Sequence, residues 1–317
     1  MQTFPSNSPV VQLSEHTFAY QQLPGSWCQN NLGIIQLGQD GAVLLIDTTA
    51  TERKNQRLRR ALEFLGATRI NVVNTHFHGD HTFGNSVFAD GEILGTESTA
   101  QLITLAGDDL VRRQPDIDFG DVHIMAPTRM VSDGQHLPTI WGDIEFIEFK
   151  HAHTASDLVV WVPTEKVLFT GDIAWNGVTP FALMGSITGS IEALELLQEL
   201  GSRAIVPGHG PVGGPEVLQR TLDYLRSVLT CAERGVRTGA SVWEAAEQFE
   251  LEGFDAGIDS ERNIANIARA FADLGASDSF DILAELVVME KWKNRSGHRI
   301  TGTAPSKPHN TERATYR

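Results

Sequence analysis

Cysteine is scarce in this sequence, with two residues in a chain of 317. Cys28 and Cys231 are far apart, and neither has the spacing of a metal-binding thiolate pair. Their scarcity fits a reducing compartment, in which we expect both to remain thiols. The cysteine pattern therefore argues against a disulfide-rich fold and against a metal site built from cysteine.

Long hydrophobic runs are also missing, since no apolar stretch is long enough to span a bilayer. The amino terminus, MQTFPSNSPVVQLSE, has neither the basic segment nor the continuous apolar segment of a secretory signal. We therefore expect a cytoplasmic protein without membrane association. Because 41% of the residues are hydrophobic, the chain can still build a core, as one large domain or two modest ones.

Positive charge is in deficit, with 25 Lys and Arg against 40 Asp and Glu and a net charge of −15 at pH 7. Such a surface repels the phosphate backbone of nucleic acids and anionic membranes. We therefore expect no nucleic-acid partner and a small-molecule substrate instead.

The most informative stretch is 71–85, NVVNTHFHGDHTFGN. A short β-branched run, Val72 and Val73, predicts a strand, and Gly79 allows a tight turn beyond it. Four candidate metal ligands follow the strand: His76, His78, Asp80 and His81. Imidazole and carboxylate groups suit zinc and iron, and residues leaving a strand end can point alternately at two ions. The stretch therefore predicts a metal-binding loop.

Because a lone His-x-His pair is weak evidence, the prediction depends on features farther along the chain. Three further candidate ligands lie at or near the ends of predicted strands: His153 after 144–149, Asp172 at the end of VLFTGD, and His209 in AIVPGHG. Strand ends on one edge of a sheet can hold ligands in the fixed geometry that a metal requires.

These motifs resemble the signature set of the metallo-β-lactamase superfamily, in that family's order. They are HFHGDH, the His153-Thr154 pair, the Gly171-Asp172 pair and the PGHG turn, with LLIDTTA at 44–50 as the first motif. The resemblance covers about residues 11–213. It implies an α+β fold, the four-layer αββα sandwich, with metals at one edge between the two sheets. Spacing alone supports only an α/β or α+β domain.

The resemblance also implies a two-metal ligand set. It assigns His76, His78 and His153 to one metal, and Asp80, His81 and His209 to the other, with Asp172 bridging the two. Asp47 and Thr154 are expected to support the ligands by hydrogen bonds rather than to bind metal. We expect two Zn²⁺ ions per chain, with iron or manganese as alternatives.

Two divalent ions can lower the pKa of a shared water to about 7, which makes it a nucleophile at neutral pH. The resemblance implies that an aspartate at the position of Asp172 is typical of thioesterases, lactonases and phosphodiesterases similar to glyoxalase II. By the same resemblance, zinc β-lactamases have Cys or Ser at that position. Asp80 and Asp172 are the catalytic candidates. We predict hydrolysis of a small acyl compound, a thioester, ester or lactone, in a metabolic or natural-product pathway; a β-lactamase or phosphodiesterase is less favoured.

The alternative is an oxidoreductase that resembles persulfide dioxygenases. These use a similar ligand set to hold a single iron through two histidines and one carboxylate. The identity and number of the metal ions would separate the two hypotheses.

Two loops near the predicted site carry candidate substrate contacts. The candidates are Trp27, Asn30, Trp175, Asn176, Thr179 and Phe181. An aromatic and amide-bearing wall would suit a planar or acyl group. For both loops the alternative is structural: Trp27 could close the edge of the core, and the segment after Asp172 could be a buried turn.

The hydrophobic pattern predicts an antiparallel meander over 10–47, a helix over 51–65 and a β-α-β crossover to the strand at 72. Later elements are a helix near 96–106, irregular structure over 107–135, strands at 144–149, 158–162, 167–170 and 204–206, and a helix over 190–200 capped by Ser190.

Helices are predicted beyond Pro215. Their expected ranges are 216–229, 241–249, 261–274 and 281–289. We divide the chain into a catalytic domain (10–213), a helical extension (214–292) that serves as a lid or as a contact in a homodimer, and a disordered tail (293–317).

Overall fold

A computed structural model of the protein describes residues 9–107, 117–250, 257–277 and 280–299. The first sheet contains β1 (Val10–Gln12), β2 (Thr17–Tyr20), β3 (Leu32–Gln36), β4 (Ala42–Ile46), β5 (Arg69–Val73), β6 (Ile93–Gly95) and β7 (Arg129–Met130). The second contains β8 (His136–Leu137), β9 (Ile144–Phe149), β10 (Asp157–Val162), β11 (Val167–Trp175) and β12 (Ala204–His209), in the order β12-β11-β10-β9-β8.

Eight α-helices are described in these ranges. They are α1 (Glu52–Phe64), α2 (Gly79–Thr82), α3 (Glu97–Ala106), α4 (Ile187–Glu199), α5 (Glu216–Thr238), α6 (Val242–Phe249), α7 (Arg262–Asp273) and α8 (Ile282–Arg299). A 3₁₀ turn spans Asn85–Phe88. Within the described chain, no helix combines the length and the apolar character needed to cross a bilayer.

The first sheet begins as the predicted antiparallel meander, with β1 to β4 paired in chain order. Helix α1 then connects β4 to β5, and these two strands pair in parallel. Thr51 caps α1 through its side chain, which accepts a hydrogen bond from the N–H of Lys54. The β-α-β crossover is therefore confirmed.

Buried clusters show that the protein has four layers. Leu45 of β4 lies in one cluster with Leu58 of α1, on the outer face of the first sheet. Leu44 points to the other face and shares a cluster with Phe146 of β9, between the two sheets. Leu168 of β11 packs beyond the second sheet, in a cluster to which α4 to α8 contribute. The αββα sandwich with a carboxyl-terminal helical extension is thus confirmed.

Helix α4 differs from its prediction at its amino terminus. It begins at Ile187, and Ser186, not Ser190, is the cap, since the Ser186 side chain accepts from the N–H of Gly189. Ser190 lies inside the helix and donates to the Ser186 carbonyl at 2.8 Å. The cap is completed by Asp273 of α7, which accepts from the N–H of Ile187 at 2.6 Å. This tertiary contact was not visible in the local sequence.

Several elements are longer than predicted. Strand β11 continues through Trp175, with register shifts on both sides of Gly171, so Asp172 lies within an irregular strand rather than at its end. Strand β12 includes His209. Helix α5 extends to Thr238, where Gly239 adopts a left-handed conformation with φ of 72°.

Helix α8 continues to Arg299, so the first seven residues of the predicted tail are helical. Residues 300–317 lie outside the described residues, as do 108–116 of the segment predicted to be irregular. The division into domains at residues 213 and 292 stays a prediction.

Candidate metal centre

Seven acidic and histidine side chains converge at one edge of the sandwich. One group contains His76, His78, His153 and Asp172, and the other contains Asp80, His81 and His209; within each group the potential ligand atoms lie within 4.8 Å of one another. The two groups reproduce the division expected from the sequence. Asp172 belongs to the first group and also contacts the second, as its predicted bridging position requires.

The loop after β5 supplies four of these residues. Strand β5 ends at Val73, and the chain then turns at His78, which caps the short helix α2. Helix α2 carries Asp80 and His81. Asp172 and His209 come from neighbouring parallel strands, β11 and β12. The second sheet therefore contributes ligands opposite those of the first.

In the first group, three imidazole nitrogens meet. Nδ1 of His78 lies 3.0 Å from Nε2 of His76 and 3.0 Å from Nε2 of His153. The other nitrogen of His153, Nδ1, lies 2.6 Å from the carbonyl oxygen of Phe181 and must donate to it. In neutral His153 the Nε2 atom therefore presents a lone pair to the centre.

The histidines of the second group are oriented in the same way as His153, with Nδ1 bonded to a group outside the centre. Nδ1 of His209 donates to the carbonyl of Gly25 at 2.9 Å, and Nδ1 of His81 lies 2.8 Å from Oδ2 of Asp47. An outer hydrogen bond of this kind orients a metal-binding imidazole and leaves its second nitrogen free to coordinate. The histidine orientations thus fit a metal centre.

Asp172 lies between the two groups. Its Oδ2 atom is 3.4 Å from Nε2 of His153 and 3.5 Å from Nε2 of His209. Its Oδ1 atom is 3.2 Å from Nε2 of His81, yet both of these buried atoms lack a hydrogen-bond partner. Buried polar atoms of this kind require a partner, and a divalent cation would satisfy both. The residues at this position therefore fit a metal centre.

Burial and the neighbouring His153 lower the pKa of His78 to about 3, so this imidazole is neutral and ready to bind metal. The second group differs. Burial opposes protonation of His81, but the carboxylates of Asp172, Asp47 and Asp80 outweigh it and raise its pKa well above the usual value. The pKa of His209 is also raised, chiefly by Asp172 against the effect of burial. Metal would therefore replace protons in this group.

Asp47 follows β4 with a left-handed φ of 63°. Its carboxylate accepts from the N–H of Thr75 at 2.7 Å and from the Thr75 hydroxyl at 2.7 Å, besides its contact with His81. Asp47 thus occupies the expected supporting position. Thr154 instead donates its hydroxyl to Asp157 at 2.8 Å and orders the turn that begins β10.

A cavity of about 370 Å³ opens onto the centre. Of the six predicted substrate contacts, Trp27, Trp175 and Phe181 line it. Among the described residues, Asn30, Asn176 and Thr179 do not line the cavity. Asn30 is buried and donates to the carbonyl of Thr48 at 2.8 Å. Asn176 donates to the carbonyl of Pro211 at 2.7 Å.

Thr179 lines a separate depression beside Arg220 and Tyr224. The polar candidates near the metal ligands therefore hold backbone segments together or face elsewhere. The side-chain amides of Asn30 and Asn176 do not line the cavity, because they donate to backbone carbonyls of neighbouring segments.

The sequence analysis missed other residues that line the cavity. They are Cys28, Gly79, Phe83, Phe119, Met184, Arg262, Leu286, Met289 and Glu290. Four of these lie on α7 and α8, more than 50 residues beyond the last motif. No local pattern distinguishes them from residues that only pack the helical extension.

Comparisons with known proteins agree with this geometry. The sequence profile of the Metallo-beta-lactamase superfamily matches residues 25–209. A beta-lactamase-like protein 2 homolog from Caenorhabditis elegans is 26% identical over 222 residues, 68% of each chain. A hydroxyacylglutathione hydrolase from Rhodospirillum rubrum is 27% identical over 177 residues, 56% of this chain and 60% of that protein. A metallo-beta-lactamase type 2 from Bacteroides fragilis is 25% identical over 69% of this chain and 86% of its own.

Solved structures share the fold. The DIM-1 metallo-beta-lactamase aligns with a TM-score of 0.54 and 20% identity, over 69% of this chain and 96% of that one. A metallo-beta-lactamase from Pontibacter korlensis aligns with a TM-score of 0.55 and 21% identity, over 68% and 98%.

Proposed function

The chain belongs to the metallo-beta-lactamase superfamily, and from that premise we propose that it is a two-metal hydrolase of a small acyl compound. The substrate class that we propose is a thioester, an ester or a lactone. The reaction is attack of water on the acyl carbon, with release of a carboxylic acid and a thiol or alcohol, or of the ring-opened hydroxy acid from a lactone.

The observation that carries the proposal is the position of Asp172. Its carboxylate contacts both histidine groups. Oδ2 lies 3.4 Å from Nε2 of His153 in the first group and 3.5 Å from Nε2 of His209 in the second, and Oδ1 lies 3.2 Å from Nε2 of His81 in the second. A single ion bound by the first group would leave Asp80, His81 and His209 as a second complete set of ligands without a role. A shared carboxylate between two sets supports a dinuclear centre.

Two divalent ions bound here would supply a water of lowered pKa and would polarise the carbonyl oxygen of a substrate. The protein's own residues would contribute charge balance and a fixed geometry. Asp172 and Asp80 would balance the cationic charge, and the buried histidines would hold the ions in a fixed arrangement that requires little reorganisation. The apolar walls of the cavity exclude bulk water, which strengthens these electrostatic interactions.

An acyl substrate is supported by the aspartate at position 172. The relative from Rhodospirillum rubrum is named for hydrolysis of an acylglutathione, a thioester, whereas the Bacteroides fragilis relative is named a beta-lactamase. Because a bridging aspartate is expected in thioesterases and lactonases, Asp172 favours a thioester or a lactone as the substrate. We propose accordingly that thioesters and lactones are better substrates than β-lactams.

Metal content tests the proposal. Protein purified without added metal or chelating resin would be analysed by plasma mass spectrometry, and thioesters, lactones and β-lactams would then be screened. About two zinc ions per chain with acyl hydrolysis would support the proposal. One iron per chain, held by the four-residue group, with oxygen uptake on persulfides, would instead support the dioxygenase alternative and overturn this one.

A further inference from the structure

The cavity above the candidate metal centre is walled by both parts of the molecule. The sandwich contributes Trp27, Trp175 and Phe181, and α8 contributes Leu286 and Met289. These five side chains also belong to, or pack against, one buried apolar cluster. The helical extension therefore forms one wall of the space in which a substrate would meet the metals.

The remaining wall is apolar as well. Phe83 and Phe119 pack edge to face, with ring centroids 5.5 Å apart, and Met184 lies 3.2 Å from Nε2 of His78. Among the described residues, the charged side chains that line the cavity outside the candidate ligands are Arg262 and Glu290. Whether the cavity can bind a negatively charged ligand therefore depends on whether Arg262 is available to form an ion pair with it.

The charge of Arg262 is paired with Asp259 inside the protein, and its Nε atom, which has no hydrogen-bond partner among the described residues, is fully buried and out of reach of a ligand. Its side chain is 1% exposed, and Nη2 lies 3.1 Å from a carboxylate oxygen of Asp259. Nη1 donates to the carbonyl of Thr179 at 2.8 Å, and the guanidinium lies 4.1 Å from the centre of the Trp27 ring. Arg262 therefore supports the aromatic wall, and the exposed Glu290 adds negative charge at the cavity.

We propose that this cavity binds the acyl group of the substrate and selects an uncharged apolar group, aromatic or aliphatic, over one that carries a carboxylate. The inference rests on the proposed function and specifies its substrate class. A volume of about 370 Å³ lies within the range of small-molecule sites. Burying a carboxylate there would leave it without a partner, which is strongly unfavourable.

The first test uses zinc-loaded protein and thioesters that share one leaving thiol. The acyl groups are acetyl, butyryl, hexanoyl and phenylacetyl, with succinyl and adipoyl as charged counterparts of butyryl and hexanoyl. We expect kcat/KM to rise about fourfold per added methylene until the cavity is full. Each dicarboxylic acyl group is expected to be hydrolysed about 100-fold more slowly than its uncharged counterpart.

A second readout does not require turnover. Methyl ketones with the same chains would be titrated into the metal-loaded and the metal-free protein, with tryptophan fluorescence as the signal because Trp27 and Trp175 line the cavity. We expect affinity to increase with chain length in the same order.

Variants of α8 locate the effect. Leu286→Trp should fill part of the cavity and shift the preference to shorter acyl groups, and Leu286→Ala should shift it to longer ones. Val287→Trp, at a neighbouring position that is 50% exposed, is the matched control and should leave the preference unchanged. Thermal unfolding of all three variants checks that each is folded.

The outcomes separate the two proposals. Hydrolysis with no dependence on chain length, or with equal rates for adipoyl and hexanoyl, overturns the apolar acyl site and leaves the hydrolase intact. Chain-dependent ketone binding without hydrolysis of any acyl substrate overturns the hydrolase and leaves the site intact. A preference that Leu286 and Val287 variants change equally would also overturn the site.

Discussion

The carboxylate of Asp47 lies 2.8 Å from Nδ1 of His81, and both side chains are almost completely buried. Asp47 is held in turn by the N–H and hydroxyl groups of Thr75. This arrangement connects the end of β4 to the candidate metal loop. It orients His81 so that Nε2 faces Asp172 at 3.2 Å.

Asp47→Asn should weaken metal binding in the second group about 10-fold to 100-fold. An asparagine has one side-chain oxygen, and its NH₂ group cannot accept from Nδ1 of His81 while the oxygen serves Thr75. Competition with a chromophoric chelator measures the affinity. Asp121→Asn, at a side chain that is 77% exposed, is the control and should bind metal like the original protein.

Asp80→Ala and His81→Ala should each reduce metal content from about two ions per chain to about one. Because these residues serve the second group, we expect turnover to fall by about two orders of magnitude or more while the fold is retained. Metal analysis, steady-state kinetics and circular dichroism test this together. Full activity in both variants would falsify the two-metal reaction.

Metal binding should release protons, and affinity should fall as the pH is lowered. The pKa values of His81 and His209 are raised in the metal-free protein because Asp172 lies beside both. Both shifts favour the protonated imidazoles in the metal-free protein, and metal must displace those protons. Isothermal titration of the metal-free protein with zinc, in two buffers of different ionisation enthalpy, gives the number released. A value of zero would contradict the prediction.

Arg262→Met should lower the free energy of unfolding by about 3–5 kcal/mol, because it leaves Asp259 without its buried cationic partner. Urea denaturation measures the change. Arg226→Met is the control, since Arg226 forms an ion pair with Glu195 in which both side chains are about half exposed, and its loss should cost less than about 1 kcal/mol. A double variant that adds Asp259→Asn should recover part of the loss.

Gly208→Ala should impair metal binding more than it impairs folding. A methyl group at this position would collide with Oδ1 of Asp172 and come within 2.8 Å of the backbone of Gly171. The side chain of Asp172 would have to move away from its position between the two histidine groups. Gly201→Ala, where the added carbon meets nothing within 4 Å, controls for glycine replacement, although its φ of 63° costs some stability.

The candidate ligands and the order of the longer elements could be predicted from the sequence alone. The short strands β6 and β8 were not predicted, and β7 lies within the segment 107–135 that was predicted to be irregular. Each ligand motif is local: a short apolar run predicts a strand, and the polar residues after it must lie near its end. The apolar run AVLLI likewise predicted a strand, and β4 is buried along its whole length. Such patterns can be recognised in the sequence because strand and helix periodicity depend on neighbours a few residues apart.

Only the tertiary structure decided which side chains surround the site. Ser190 was the predicted cap of α4. In the structure Ser186 is the cap, and Asp273, which follows Ser190 by 83 residues in the chain, completes it. Asn30 and Asn176 were predicted to contact the substrate, but their side chains donate to backbone carbonyls and do not line the cavity. Arg262 and Leu286 reach it from the distant helices. Hydrophobic periodicity determines that a residue is buried, whereas its packing partners depend on contacts between segments far apart in the chain.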